Sequence, residues 1–190
     1  MAGSARARRR LLAVYDALFR RGQLANLHAL RDGMRGAAPG LDAVAGAMEA
    51  TGRWAAANPV LAQLLFWQPV PGYQPSAEAF APAMQITGLL RSALQDAAAR
   101  GQVHPDAATD PGMDLLSIMH FGVINQHLAN DPGSDWDHGR YTRRHREIIP
   151  LFIKAYPAPD MNHRRRPQAQ HGQPEQKRQF GNPSESPADS

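Results

Sequence analysis

The sequence predicts an all-α protein: a bundle of about six helices followed by a disordered C-terminal tail. Three observations lead to this prediction. Apolar residues recur at the 3.6-residue spacing of a helix in successive segments as far as residue 156. Alanine-rich stretches favour helices, and clusters of Gly and Pro separate the segments. At 190 residues the chain has room for one domain with a core of ordinary size, plus a tail.

A basic stretch leads into the first predicted helix, over residues 6–34. It contains four arginines, namely Arg6, Arg8, Arg9 and Arg10. The apolar run that follows, LLAVYDALF, is interrupted by Asp16 and ends at Arg20, which makes it too short for a signal peptide. No stretch approaches the roughly 20 apolar residues that a membrane helix needs. We therefore expect a soluble, cytoplasmic protein without a membrane partner.

The next three helices are delimited by turn-forming residues. GMRGAAPG at residues 33–40 ends the first helix, and Asn58 and Pro59 end the second, which is predicted over residues 41–57. A short apolar helix, VLAQLLFW, precedes the loop QPVPGYQP, whose three prolines make it a constrained connector. Ser76 is predicted to cap the fourth helix, which continues to about Gly101.

The fifth predicted helix is the most apolar. Asp110 is its expected N-cap and Pro111 its first residue, and it continues to about Ala129. Residues 113–128 are apolar around most of the circumference, so this helix needs cover on more than one side. Either other helices of the domain cover it on every side, or the domain covers one side and a ligand or a second subunit covers another. The last helix is predicted over residues 137–156, with a kink at Pro150.

The last 34 residues, 157–190, have a different composition. They are rich in Pro, Gln, Asn, Ser and charged residues and contain almost no bulky apolar group. Such a segment cannot offset the entropy that ordering costs. We predict that it is disordered.

Composition and motifs argue against an enzyme or a metal site. With no cysteine, the chain has no thiolate nucleophile and no disulfide. The pairs His120 and His127, and His138 and His145, are seven residues apart, which separates each pair by roughly 10.5 Å along a helix. No nucleophile elbow, phosphate-binding loop or dinucleotide fingerprint occurs. We expect no catalytic residue, no metal and no cofactor.

Polar residues within the fifth helix indicate a pocket or an interface. His120, Asn125 and Gln126 interrupt an otherwise apolar segment, and buried polar groups need partners. Aromatic and methionine side chains are available to line a cavity. Core packing is the better explanation of any one of them alone, and a cavity gains support when they are taken together. Gly122 costs the helix roughly 1 kcal/mol relative to Ala, which favours the close approach of another helix at this point.

The order of these features resembles the effector domain of tetracycline-repressor-like (TetR family) transcriptional regulators. In residues 54–80, WAAANPVLAQLLFWQPVPGYQPSAEAF, an Asn-Pro pair, a short apolar helix and a Pro-Val-Pro-Gly-aromatic loop lead into a long helix. The subgroup with a Trp-His-Gly motif is the most similar, but here Phe121 directly precedes Gly122, and His120 comes one position earlier. LLAVYDALF resembles the helix that connects the family's DNA-binding and effector domains. The resemblance covers residues 11–156.

The resemblance implies a division of the chain and a set of site residues. Residues 1–35 would be the basic N-terminus and connecting helix, residues 36–156 the effector-binding and dimerisation domain, and residues 157–190 the tail. The expected ligand-binding residues are Trp54, Phe66, Met84, Leu89, Met119 and His120. The expected interface residues of a homodimer, formed by the last two helices, are Leu115, Gly122, Gln126, Tyr141, Ile148 and Phe152.

The resemblance also implies a DNA-binding module that the chain is too short to contain before residue 11. A helix-turn-helix takes about three helices, so we hypothesise an N-terminally truncated regulator that binds DNA only if this module is present upstream. One alternative is a stand-alone small-molecule-binding protein, or a partner that dimerises with full-length relatives. Another is non-specific nucleic-acid binding through the arginine-rich ends, since the formal charge is +4 and the pI about 10.0.

Overall fold

The computed structural model describes residues 2–159, with side chains from Arg6 onwards. This part of the chain is all-α, as predicted, with no strand. The described helices are α1 (Ala2–Arg35), α2 (Leu41–Ala57), α3 (Pro59–Trp67), α4 (Ala77–Ala99), α5 (Asp110–Asn130) and α6 (Ile148–Ala155), with short 3-10 helices at Pro105–Ala108 and Thr142–Glu147. The predicted tail lies outside the described residues apart from its first three.

Helix α1 is the longest element, and it packs against α2, α3 and α4. Its buried stripe includes Tyr15 and Phe19, which join Leu65 of α3 and Tyr73 of the following loop in one apolar cluster. The Tyr15 hydroxyl donates a hydrogen bond of 2.9 Å to the carbonyl oxygen of Leu64. The helix that the sequence places at residues 6–34 is continuous, and Tyr15 and Phe19 connect its middle to α3.

Two glycines allow α1 and α2 to approach closely. A methyl group at Gly33 would overlap the backbone carbonyl oxygen of Gly46, and a methyl group at Gly46 would overlap that of Gly33. Only residues without a Cβ allow this contact between helix backbones. Gly33, which the sequence suggests as the start of a turn, lies inside α1 and serves helix packing.

The loop between α3 and α4 is held by a single carboxylate of α1. Asp16 accepts hydrogen bonds from the Tyr73 hydroxyl (2.7 Å), the Ser76 hydroxyl (2.7 Å) and the Ser76 backbone N–H (2.9 Å). The Ser76 hydroxyl in turn accepts a hydrogen bond from the Ala79 N–H, which confirms the predicted cap of α4. These bonds lower the pKa of Asp16, with the backbone N–H of Ser76 as the largest contribution.

Helix α5 lies with one face in the core and another in solvent. Its N-cap is Thr109 and not Asp110, which is instead the first helical residue. The buried face packs against α2 and α6 through residues that belong to two apolar clusters, namely Met113, Leu116, Ile124 and Leu128. On the opposite face Ile118 is 69% exposed. Residues 2–159 therefore cover α5 on one side only, whereas the sequence predicts cover on more than one side.

The prediction of one helix over residues 137–156 is wrong in its first half. Residues 131–141 form turns, and α6 begins only at Ile148. Two carboxylates explain the difference, because Asp135 accepts from the His138 backbone N–H (2.8 Å) and Asp131 from that of Arg140 (2.7 Å). Such side-chain acceptors compete with helical hydrogen bonds. Pro150 does not kink a helix but lies in the first turn of α6, where a missing N–H costs little.

Candidate ligand-binding cavity

A cavity of about 430 Å³ lies between α1, α2, α4 and α5, with one contribution from α3. This volume is within the range typical of small-molecule sites. Nineteen residues line it: Gln23, Asn26, Leu30, Ala47, Met48, Thr51, Phe66, Ala83, Ile86, Thr87, Leu90, Arg91, Asp110, Met113, Asp114, Leu116, Ser117, His120 and Phe121.

The cavity wall is mainly apolar. Leu30, Met48 and Leu116 are buried and come from three different helices. The rings of Phe66 and Phe121 lie side by side in the wall, with their centroids 4.8 Å apart. A ligand in this cavity therefore contacts two aromatic rings as well as aliphatic side chains, which suits an apolar or aromatic molecule.

Three polar atoms in the wall lack a hydrogen-bond partner among residues 2–159. They are Asn26 Oδ1 on α1, Thr51 Oγ1 on α2 and His120 Nε2 on α5, and all three are buried. The fourth such atom of the described chain, His127 Nδ1, is not in the cavity wall. A buried polar atom without a partner costs about 1–3 kcal/mol. All three atoms belong to residues that line the same cavity.

A hydrogen-bonded chain leads from the protein surface to His120. Glu49 Oε2 lies 3.3 Å from His145 Nδ1, and His145 Nε2 lies 3.0 Å from His120 Nδ1. The other carboxylate oxygen of Glu49 accepts hydrogen bonds of 2.9 Å from Trp136 Nε1 and pairs with Arg53 Nε at 2.9 Å. The bond with His145 is the largest cause of the lowered pKa of Glu49, so this residue is ionised.

His120 is neutral in this environment. Burial, and to a lesser extent the neighbouring His145, lower the pKa of His120 to about 3. The rings of His145 and Trp136 pack edge to face with centroids 5.0 Å apart, which fixes the orientation of His145. His145, which bonds to His120, is therefore held by the Trp136 ring and the Glu49 carboxylate.

Charged groups occur at the mouth of the cavity. Arg91 on α4 donates hydrogen bonds to the Ala108 carbonyl oxygen (2.7 Å) and to Asp110 (2.6 Å), which ties α4 to the beginning of α5. Asp114 also lines the mouth and is exposed. With one guanidinium and two carboxylates, the mouth has no excess positive charge to attract an anion.

The structure places two of the six expected ligand-binding residues in this cavity, Phe66 and His120. Trp54 packs between two apolar clusters, and Met119 packs against the main core. Met84 is 61% exposed on α4. Leu89 lines a separate, shallow depression with Met34.

Several polar residues of the wall were missed by sequence reasoning, and the buried ones on α1 and α2 are Gln23, Asn26 and Thr51. A signal for the first two exists in the sequence. Phe19, Gln23, Asn26 and Leu30 follow helical spacing, so two amides lie on the same buried stripe as two apolar residues. Polar residues on a buried stripe need a partner, and a cavity is one way to provide it.

The expected interface residues fall into three groups. Gly122 and Gln126 are exposed on α5, and a methyl group at Gly122 would meet no atom of the described chain within 4 Å. Leu115 and Tyr141 are half-buried. Ile148 and Phe152 are buried in the core of the protomer, whereas Leu151 on the same helix is 49% exposed.

The fold is an all-α domain with a cavity between its helices, and comparison with known families identifies its class. The family model of the tetracycline repressor-like C-terminal domain matches residues 44–147, more than half of the chain. The chain therefore belongs to this family, as the resemblance of residues 11–156 suggested. Neither the curated proteins nor the solved structures contain a significant match.

Membership of the family sets the general type of protein. Domains of this family are regulatory rather than catalytic, and they typically dimerise and bind small-molecule effectors. Within residues 2–159 no group of three or more His, Asp or Glu side chains is arranged to hold a metal ion. No described helix is long and apolar enough to cross a bilayer.

Proposed function

We propose that the chain is the effector-binding and dimerisation part of a TetR-family transcriptional regulator and that the cavity is its effector site. The occurrence of three residues with an unpartnered buried polar atom, Asn26, Thr51 and His120, in the wall of one apolar cavity supports this proposal most directly. A ligand that bonds to these atoms would remove the cost of leaving them unpartnered. A small, mainly apolar effector is the class of molecule that fits such a wall.

The position of the cavity suggests how binding would be transmitted. α1 forms part of the wall through Gln23 and Asn26, and the same helix extends toward the N-terminus through the exposed side chains of Leu11 and Val14. A ligand held between α1 and α5 favours one position of α1 relative to the rest of the domain. In a regulator whose α1 is joined to a DNA-binding module, this preference shifts the population of module orientations.

A ligand screen with a blocked cavity tests the effector site. Ala83 on α4 lines the cavity, whereas Ala81 on the same helix is exposed and does not. Compounds that raise the melting temperature of the full chain and of Ala81→Phe should have no effect on Ala83→Phe, because the new ring fills the cavity. Compounds that stabilise all three proteins equally would place the binding site elsewhere and refute the proposal for this cavity.

We also propose a homodimer formed through α5 and α6. Ile118 and Leu151 are large exposed apolar residues on these helices, and the backbone at Gly122 is free for the approach of a second copy. Leu115, Gln126 and Tyr141 would lie at the contact. Ile148 and Phe152 would support it from inside the protomer. A two-fold contact of equivalent surfaces suits such a face.

Sedimentation equilibrium at micromolar concentration tests the dimer. Ile118→Glu and Leu151→Glu should each give a monomer, because a second copy would bury the new carboxylate. Met84→Glu is the matched control, since Met84 is also exposed and apolar but lies on α4. A monomeric wild-type chain at this concentration, or a dimer that only Met84→Glu dissociates, would contradict the proposed interface.

A further inference from the structure

The chain of hydrogen bonds behind His120 determines which kind of ligand atom it can meet. We infer that the cavity takes an uncharged, largely aromatic molecule with a hydrogen-bond donor, such as a phenolic hydroxyl, and that His120 Nε2 accepts this bond because Glu49 and His145 fix its tautomer. The inference rests on the proposed effector role of the cavity and specifies the chemical class of the effector.

The direction of the hydrogen bonds follows from Glu49. An ionised carboxylate only accepts, and its partners Trp136 Nε1 and Arg53 only donate. The nitrogen of His145 that faces Glu49, Nδ1 at 3.3 Å, must therefore carry a hydrogen. Provided that His145 is neutral, this N–H is its only one, and Nε2 presents a lone pair to His120.

The same reasoning applies to the next ring. His120 Nδ1 lies 3.0 Å from the lone pair of His145 Nε2 and must donate to it. His120 is then the tautomer with its hydrogen on Nδ1, and Nε2 is left with a lone pair. This Nε2 is buried and has no partner among residues 2–159, and His120 is one of the residues that line the cavity. Nε2 can therefore accept a hydrogen bond from a donor group of the ligand. Asn26, another lining residue, has a second unpartnered acceptor, Oδ1.

The charged and aromatic residues of the lining restrict the chemical class of the ligand further. The charged groups of the lining are Arg91 on α4 and Asp110 and Asp114 on α5, and Arg91 is already paired with Asp110 at 2.6 Å. An anion would therefore find no unpaired positive charge in the lining, and a cation would find only Asp114, which is exposed to solvent. Burying a charge among the apolar side chains is costly. The neighbouring rings of Phe66 and Phe121 provide aromatic contact surface.

Calorimetric titration with three related probes tests the inference. Naphthalene, 2-naphthol and 2-methoxynaphthalene present the same ring system with no polar group, a donor, and an acceptor only. At neutral pH the full chain should bind 2-naphthol about ten-fold more tightly than 2-methoxynaphthalene, as expected for one net hydrogen bond. His120→Phe should reduce this ratio to about one, whereas the control His28→Phe, at an exposed position of α1, should keep it.

The other outcomes are distinguishable. Equal affinity for the three probes would refute the donor requirement while leaving an effector-binding cavity in place. Tighter binding of 2-methoxynaphthalene would mean that His120 presents an N–H, which reverses the inferred tautomer. Binding of none of the probes would refute the aromatic class, and the effector function would then be judged by the separate screen with Ala83→Phe.

A measurement without ligand tests the tautomer directly. In the full chain labelled with ¹⁵N-histidine, long-range proton–nitrogen correlation at neutral pH should show a protonated Nδ1 and an unprotonated Nε2 for His120. Glu49→Gln should change this pattern, because an amide can donate as well as accept and no longer fixes His145. A protonated Nε2 of His120 in the wild-type protein would overturn the inference, as would a tautomer that Glu49→Gln leaves unchanged.

Discussion

The Nδ1 atom of His120 lies 3.0 Å from the Nε2 atom of His145, and both rings are buried, with 6% of each residue exposed. Two histidines in contact inside a small domain cannot both carry a positive charge at low cost. His120 is the one of the two that lines the cavity, and burial keeps it neutral. Its titration is therefore coupled to folding.

Acidification should destabilise the domain through His120. The pKa of His120 is about 3 in the folded state, against an ordinary 6.5, so the unfolded chain binds a proton at a higher pH than the folded chain. The contribution of neutral His120 to the free energy of unfolding is fully present above pH 6.5 and is lost as the pH falls from there toward 3. The steepest loss is about 1.4 kcal/mol per pH unit.

Urea denaturation at several pH values between 7.5 and 5 checks this prediction. His120→Gln keeps a polar partner for His145 but does not titrate, so its unfolding free energy should fall less steeply than that of the wild-type protein. The comparison isolates His120, because the raised pKa of His138 contributes equally to both proteins. Parallel pH profiles for the two proteins would refute the prediction.

Gly52→Ala should destabilise the domain. A methyl group at Gly52 would overlap the indole ring of Trp136, which is buried and bonded to Glu49. Overpacking of this kind costs about 1–3 kcal/mol. Gly88→Ala on α4 is the matched control, because a methyl group there meets no described atom within 4 Å and helix propensity gives up to about 1 kcal/mol. In urea denaturation, the free energy of unfolding should fall for Gly52→Ala and rise for Gly88→Ala. A neutral or stabilising Gly52→Ala would contradict the packing of Trp136 against Gly52.

The helices that the sequence predicts well are those whose ends carry local signals. Ser76 caps α4, and Asn58 and Pro59 separate α2 from α3, because these residues act within a few positions of themselves. The region before α6 has a helical apolar pattern too. There, Asp131 and Asp135 bind backbone N–H groups and form turns instead, and the pattern of apolar residues does not record this competition.

The cavity was only partly predictable, because it depends on which helices meet. Phe66 and His120 stand out as an aromatic and a polar residue in apolar helices, and both line it. Asn26 and Thr51 become site residues only once α1 and α2 pack against α5. Glycines illustrate the same limit. The sequence predicts close packing of another helix at Gly122, because a glycine there costs the helix stability. Within the described chain, such close backbone packing occurs at Gly33 instead.

Asp16→Asn should loosen the junction between α1 and the loop before α4. The Asp16 carboxylate receives three hydrogen bonds, from Tyr73 and Ser76, whereas an amide offers one acceptor oxygen and no charge. We expect a loss of about 1–2 kcal/mol in the free energy of unfolding. Asp32→Asn, which removes only an exposed pair with Arg35 three residues away, should change it by less than about 0.5 kcal/mol. Equal effects of the two substitutions would show that the junction contributes no more than a surface pair.

Arg91→Lys tests whether the mouth of the cavity depends on guanidinium geometry or on charge alone. Arg91 donates at the same time to the Ala108 carbonyl oxygen (2.7 Å) and to Asp110 (2.6 Å), and a single ammonium group does not match this fork. We expect Arg91→Lys to lose about 1–2 kcal/mol of stability. Hydrogen exchange should become faster in residues 105–114 but not in α2. Arg21→Lys, at an exposed position of α1, should leave both the stability and the hydrogen-exchange rates unchanged. If lysine at position 91 preserved the exchange rates, charge alone would hold the beginning of α5 against α4.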